Sequence, residues 1–334
     1  MAVPESDPAG HDVLPLAPGD GGEAVRDLQQ RLGGCGHDIT PQEGGHFGER
    51  TEAAVLAFQR QRGLRPSGRC DEPTWAALVE AGFQLGDRLL YFRRPMLRGE
   101  DVADLQLRLG GLGFDAGRPD GIFGPDTERA VRSFERNAGL TTDGVCGPEV
   151  IQALARLGER GTSVGSVASV RERLRLEAAP RQLADRRVVV GESGGLDVLA
   201  NAVGRALHEA GARVAVLHHP DPSQQASQAN SFEAEIYLGF SVGDPPCHVA
   251  YFGSATYASP GGKRLAELTI PQLADCGFAE ATSEGMRLPL LRETRMPAVL
   301  VHLAPPSQVV HQTAAIAAAV TAALSTWATE PVGT

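Results

Sequence analysis

Apolar residues in the first half of the chain recur at helical spacing twice over. Val25, Leu28 and Leu32 fall at i, i+3 and i+7, and so do Val102, Leu105 and Leu109. Ala54, Val55 and Phe58 mark a second helix, matched by Ala130, Val131 and Phe134, and a shorter third helix follows each pair. HFGERTEAAVLAFQRQRGLRPSGRC (46–70) lies over IFGPDTERAVRSFERNAGLTTDGVC (122–146) without a gap, bringing Phe58 onto Phe134 and Cys70 onto Cys146. Upstream, AVRDLQQRLGGCG (24–36) lies over DVADLQLRLGGLG (101–113) in a register changed by one residue, which the connecting loop takes up. The chain therefore contains a duplication. Each copy is expected to be a compact three-helix module, over 13–86 and 87–160, behind a tail of residues 1–12.

The pattern changes after Leu157. The run GERGTSVGSVASVRERLRLEAAPRQLADRR has the composition of a linker with one short helix, placed at 161–185. From Arg186, strand and helix signals alternate. Strands are expected at Val188–Val190, Val214–Val216, Ile236–Leu238, His248–Phe252, Leu288–Leu291 and Ala298–Leu303. Helices are expected through Leu196–Leu207, around Gly261–Cys276 and along HQTAAIAAAVTAALSTWA. Ala298-Val299-Leu300-Val301 is apolar enough for a central strand. The fold class is thus multidomain, two all-α modules and then an α/β domain with a mixed sheet over 186–328, with a tail of 329–334.

Local chemistry sharpens the modules. Asp71 is placed to cap the third helix of the first copy, and Gly147-Pro148 puts proline in the first turn of the equivalent helix. Asp120-Gly121-Ile122-Phe123-Gly124-Pro125 forms a tight Asp-Gly turn feeding a helix, with Phe123 as a hydrophobic plug. The string DGIFGPDTERAVRSFERNAGLTTDGVCGPEVIQAL closely resembles the peptidoglycan-binding domain family, whose pattern runs D-G-x-F-G-x-x-T-x-x-A-V-x-x-F-Q and then G-L-x-x-D-G. The resemblance implies a glycan-binding role for Asp120, Gly121, Phe123, Gly124 and Thr127, while the same residues also suit a turn-and-cap role. The first copy departs from the pattern at Gly45-His46 and Ser67-Gly68.

In the α/β domain, LLRETRMPAVLVHLAPPSQ (290–308) resembles the family-3 N-acetylmuramoyl-L-alanine amidases, whose segment reads LRET-x-x-PAVLVE-x-GF. HEAGARVAVLHHPDPSQQASQAN follows the helix, turn, strand and Ala-Asn order of that family down to Ala229 and Asn230. Such an enzyme holds Zn2+ with two His and one Glu and uses a second Glu as general base. The first His, in D-P-G-H-G-G, aligns with Gly194, and the second, in S-I-H-A-N, with Ser241. The catalytic Glu of PAVLVE aligns with His302, and the insert that leads to the ligand Glu is almost absent, leaving Glu192 and Asp197 as the nearby carboxylates. The resemblance implies a pseudoenzyme with no catalytic residue, no metal and no cofactor, Gly194, Ser241 and His302 being vestigial positions. A new site of His302 with Glu192 or Asp197 is weighed against a structural histidine, and His218-His219 is read as a solvated loop because adjacent strand residues face opposite ways.

Composition narrows the partners. A formal net charge of -10, with no basic stripe, works against nucleic acid, and no run is long and apolar enough to span a bilayer. The opening residues lack a basic n-region and an apolar h-region, so a cytoplasmic protein is expected. Five cysteines without CxxC spacing read as small hydrophobes. Tandem modules, a ligand-stripped amidase domain and the junction GDRLLYFRRPMLRGEDVADLQ together resemble the actinobacterial CwlM-like regulators of cell-wall precursor synthesis. That resemblance implies control of peptidoglycan synthesis through protein partners such as the UDP-N-acetylglucosamine enolpyruvyl transferase MurA, with peptidoglycan fragments or precursors as further ligands. Alternatives are a muramoyl–L-alanine amidase and a wall-targeting glycan binder.

Overall fold

The computed structural model describes residues 14–39, 44–62, 64–158, 167–184, 186–254 and 257–331. The expected tail 1–12, the first part of the linker and the end of the C-terminal tail lie outside the described residues. The chain divides into two units, one up to Val164 and one from Gly165.

The first unit holds α1 (Glu23–Gly34), α2 (Glu49–Arg62) and α3 (Glu72–Gly82), and then α4 (Glu100–Gly111), α5 (Pro125–Ala138) and α6 (Pro148–Gly158). Each triplet closes on its own core. Val25, Leu28, Leu32, Val55, Phe58 and Leu78 are buried in the first, and Val102, Leu105, Leu109, Val131, Phe134 and Leu154 in the second. The duplication also holds for the extended segments. Leu16 and Cys70 exchange backbone bonds of 3.0 and 2.9 Å, as Leu90 and Cys146 do at 3.2 and 2.8 Å. Asp71 caps α3 by accepting from the Thr74 amide at 3.0 Å. Gly99, just ahead of α4, has no room for a side chain, since a Cβ would meet the Asp101 carboxylate and an Arg88 Nη. Those two groups form an ion pair of 2.7 Å with Asp101 almost wholly buried.

The second unit opens with α7 (Val167–Ala178), then β1 (Arg187–Glu192), α8 (Asp197–Glu209), β2 (Arg213–His218), α9 (Pro222–Ser231) and β3 (Ile236–Val242). It continues with β4 (His248–Phe252), α10 (Pro260–Ala274), β5 (Thr282–Met286), α11 (Pro289–Glu293), β6 (Ala298–Leu303), α12 (Pro306–His311) and α13 (Thr313–Thr329). The sheet order is β2-β1-β3-β6-β4-β5, with β4 antiparallel to β6 and the other pairs parallel. β6 is internal, as its unbroken apolar run requires. Val188, Val190, Leu238, Val299 and Val301 share a core with Leu199, Val203, Leu265, Val320 and Trp327 of α8, α10 and α13. On the other face, α9 meets the sheet where Tyr237 donates to the side chain of Gln225.

Two expectations are corrected here. Leu288–Leu291 is not a strand: Pro289 occupies the first turn of α11, whose Leu290 and Leu291 are buried. The edge strand is instead Thr282–Met286, whose polar, mostly exposed sequence carries no period-2 apolar signal. The expected linker also ends earlier than residue 185. Leu176 of α7 lies in the sheet core, and Glu172 accepts from Ser259 Oγ at 2.5 Å, the Gly261 amide at 3.0 Å and the Tyr257 hydroxyl at 3.2 Å.

Candidate functional site

Three of the residues singled out in the second module, Asp120, Gly121 and Thr127, bond to one buried glutamine. Gln106 Nε2 donates to Asp120 Oδ1 at 2.9 Å, to the Ile122 carbonyl at 3.1 Å and to Thr127 Oγ1 at 3.0 Å, while its Oε1 accepts from the Gly121 amide at 2.9 Å. Asp120 Oδ1 also accepts from the Ile122 amide at 2.8 Å. Gly121 adopts φ 71, the left-handed region that the tight turn demands. Phe123 is wholly buried in the core and Thr127 almost so, which leaves Asp120 and Gly124 as the partly exposed members of the set.

The first module repeats the device. Gln29 Nε2 donates to the His46 carbonyl and Thr51 Oγ1, both at 2.9 Å, and its Oε1 accepts from Gly45 at 2.9 Å. Sequence reasoning missed both glutamines. The signal was present, because Gln29 and Gln106 occupy the same place in the two copies and sit four residues after Val25 and Val102, on the buried stripe. A second hub differs between the copies. Gln59 donates to the Arg69 carbonyl at 2.8 Å and Thr74 Oγ1 at 2.9 Å and accepts from Gly68 at 3.0 Å. Glu135 takes that place in the second copy and accepts from Gly144 at 2.9 Å. Burial raises the Glu135 pKa, with the Gly144 amide opposing the rise.

The amidase-type positions gather at the carboxyl ends of β1, β3 and β6. Ser241 is paired in register with His302, which is itself opposite His248. Ser241 Oγ lies 3.0 Å from His302 Nδ1, and His302 Nε2 lies 3.0 Å from the Asp244 carbonyl. A carbonyl only accepts, so Nε2 carries a proton toward Asp244, which leaves Nδ1 to bond the Ser241 hydroxyl. The His248 and His302 rings stack at 4.9 Å. Burial lowers the His248 pKa, and His302 adds to the fall against the Pro246 carbonyl and Glu284.

Glu192 is paired in register with His218 and Phe240, not with Ser241. Alternation along β3 therefore points Glu192 and His218 to one face and Ser241, His302 and His248 to the other. β1 and β6 are also separated by β3, which puts Glu192 about 10 Å across the sheet from His302. A His302–Glu192 site is thereby excluded by register. His218 is not part of a solvated loop: its Nδ1 lies 3.0 Å from Glu192 Oε1. Glu192 Oε2 accepts from the Gly194 and Leu196 amides at 2.7 and 3.1 Å. Burial by itself would raise the Glu192 pKa, but the bonds from His218, Leu196 and Gly194 outweigh it and hold the carboxyl below its ordinary value.

This donor set does not fit the amidase zinc. Gly194 offers no ligand atom, Ser241 offers a neutral hydroxyl, and both ring nitrogens of His302 are engaged. Asp197 is exposed at the start of α8. Among the described residues no three His, Cys, Asp or Glu side chains are grouped to hold a metal ion.

Other family-type residues serve the fold. Asn230 donates to the Glu293 carbonyl at 2.9 Å and accepts from the Arg295 amide at 2.9 Å, tying the Ala-Asn end of α9 to the LRET turn. Gln225 donates to the Glu192 carbonyl at 3.0 Å and the His219 carbonyl at 2.6 Å. Gly191 must stay bare, since a Cβ would overlap the Tyr237 hydroxyl and the Gln225 amide. All five cysteines are free. No helix among the described residues is long and apolar enough to cross a membrane.

Residues 21–78 and 98–154 match the putative peptidoglycan binding domain family. The chain is 32% identical over 292 residues to the N-acetylmuramoyl-L-alanine amidase CwlM of Mycobacterium tuberculosis, covering 77% of this chain and 71% of that protein. It is 30% identical over 151 residues to a probable N-acetylmuramoyl-L-alanine amidase of Bacillus licheniformis, over 40% of this chain and 42% of that one. Among solved structures, the apo form of the N-acetylmuramyl-L-alanine amidase Ami1 from Mycobacterium abscessus aligns with a TM-score of 0.36 and 16% identity, over 42% of this chain and 97% of that one. With a relative of that identity and span, and with both modules matched, the chain belongs to the family of the N-acetylmuramoyl-L-alanine amidase CwlM.

Proposed function

We propose that the chain is a non-catalytic, amidase-like regulator or scaffold of peptidoglycan synthesis, acting in the cytoplasm through protein partners such as MurA. The observation that carries this reading is the Ser241–His302 pair. Where the amidases need a zinc-binding imidazole and a carboxylate base, a hydroxyl and an imidazole bond to each other, and the imidazole's second nitrogen is taken by a backbone carbonyl. Water activation by zinc needs at least three protein ligands with an open fourth position, and Gly194, Ser241 and His302 do not supply them. The sheet is kept as a platform, and the modules add helical surfaces.

The direct test is zinc content by mass spectrometry of the purified full chain, together with release of L-alanyl peptide from muropeptides. The expected result is neither stoichiometric zinc nor turnover. Stoichiometric zinc with turnover abolished by His302→Ala would overturn the proposal. The matched peptidoglycan-binding modules favour one competing reading, a wall-targeting protein. Fractionation and co-sedimentation with purified sacculi decide that point, since secretion with tight sacculus binding defeats the cytoplasmic role, whereas calorimetric binding of purified MurA supports it.

A further inference from the structure

The duplication supplies an internal control for one segment, Leu89–Met96, that lies outside both matched module spans. Both modules enter their first helix through an extended segment that begins at Leu16 or Leu90, each bonded to its cysteine, and ends at the glycine before α1 or α4. The first copy goes from Leu16 to Gly22 through APGDG, whereas the second goes from Leu90 to Gly99 through YFRRPMLR, three residues longer. The extra length is an arm of different chemistry. Residues 88–98 contain four arginines and no carboxylate, in a chain of net charge -10, a short basic run that corrects the expectation of no basic stripe.

The arm is held from within. Leu90 and Leu97 are buried in the core of the second module, and Phe92 packs against it. Leu89, just before the first anchor, and Tyr91 and Met96, between the two, face outward: Leu89 is 54% exposed, Tyr91 41% and Met96 39%. These are three of the nine large hydrophobic side chains exposed among the described residues, gathered within eight positions. Leu89 lies over Gly147 and Met96 over Gly124, the glycines preceding α6 and α5. Arg93 and Arg94 are exposed between them. Arg88 has Asp101, Arg62 has Glu100 and Arg132 has Glu128, but Arg93 and Arg94 make no ion pair among the described residues.

Three exposed apolar side chains stand within eight positions of one another, beside two unpaired guanidinium groups, and Tyr, Met and Arg are residues enriched where proteins meet. We propose that the arm Leu89–Met96 is a docking element for an acidic segment of a partner protein. Arg93 and Arg94 would pair with its carboxylates, and Leu89, Tyr91 and Met96 would take its apolar side chains. The acidic sign of the occupant follows from the arm's charge. This inference rests on the reading that the chain works through protein partners.

The test places p-benzoylphenylalanine at position 91 of the full chain in its native host and maps the photoadduct by peptide mass spectrometry. The expected adduct is with an acid-rich segment of one identified protein. Its yield should fall about tenfold or more in an Arg93→Glu, Arg94→Glu background. It should recover when the mapped carboxylates are changed to lysine. Both arginines are exposed and unpaired, so the double variant should keep native amide exchange in the second module, which is measured alongside. The inference is overturned by the absence of an adduct, or by one insensitive to the charge reversal. It is equally overturned by an adduct with peptidoglycan, lipid or a second copy of this chain. Zinc-dependent turnover would sink the regulatory reading without altering the adduct map. An inactive chain that binds MurA but gives no adduct would sink the arm alone.

Discussion

Gln106→Met separates a structural role for the Asp120–Thr127 turn from a purely ligand-directed one. The substitution keeps volume and removes every polar atom of a side chain that is 3% exposed. Four hydrogen bonds vanish, to Asp120, Ile122, Thr127 and Gly121. At about 1 kcal/mol net for each, and more where a buried group is left unpaired, the turn should lose about 4 kcal/mol. Thr127 retains its 3.3 Å bond to the Ala116 carbonyl, and Asp120 keeps the Ile122 amide, so the helix start itself should survive. Trp75 and Trp327 both lie outside the second module, so fluorescence would miss the change, and hydrogen exchange on the full chain is the suitable assay. With 1.4 kcal/mol per tenfold, the Gly121 amide, which loses its acceptor, should exchange roughly a thousandfold faster. The Gly45 amide of the first module should be unaffected. An acceleration below about tenfold, or one of equal size in both modules, would refute the assignment of Gln106 as the hub.

Three further outcomes are expected. Asn230→Ala should cost the second unit about 2 kcal/mol, because it strips one donor and one acceptor from the Glu293–Arg295 turn. A urea midpoint unchanged in a Trp75→Phe background, read through buried Trp327, would contradict this. The lowered Glu192 pKa gives stability that is present above the ordinary carboxylate range and is lost as pH falls through its folded-state value. Glu192→Gln should accordingly flatten the acid limb of stability against pH, and an unchanged slope would show that the His218 and amide bonds carry no such linkage. Burial pushes the Cys70 and Cys146 thiols up to about 12, so about one molecule in ten thousand is thiolate at pH 8. A disulfide reagent should label the partly exposed Cys35 and Cys247 first and reach Cys70 and Cys146 after unfolding; rapid labelling of all five would speak against the buried placement.

Helical phase and self-comparison determined the modules from sequence, because a three-helix unit buries its stripe through local contacts that the chain repeats. The strands of the α/β domain were legible where both faces are covered, as in Ala298–Leu303, and illegible at Thr282–Met286, an exposed edge with no apolar face to mark it. Pro289 and its neighbouring leucines misled for the converse reason: four apolar residues fit a strand or a buried helical turn alike.

Gly194, Ser241 and His302 could be named one by one in the sequence only through their alignment with the amidase motifs, as what the resemblance implies. Only the tertiary structure decided what the replacements do. Register between β3 and β6 makes Ser241 and His302 partners, and the period of two along a strand sends Glu192 and His218 to the opposite face. Likewise the turn residues were named from their motif, whereas the glutamines that hold them were not. A buried polar side chain is recognised by the groups it satisfies, and those groups come from segments that only folding brings together.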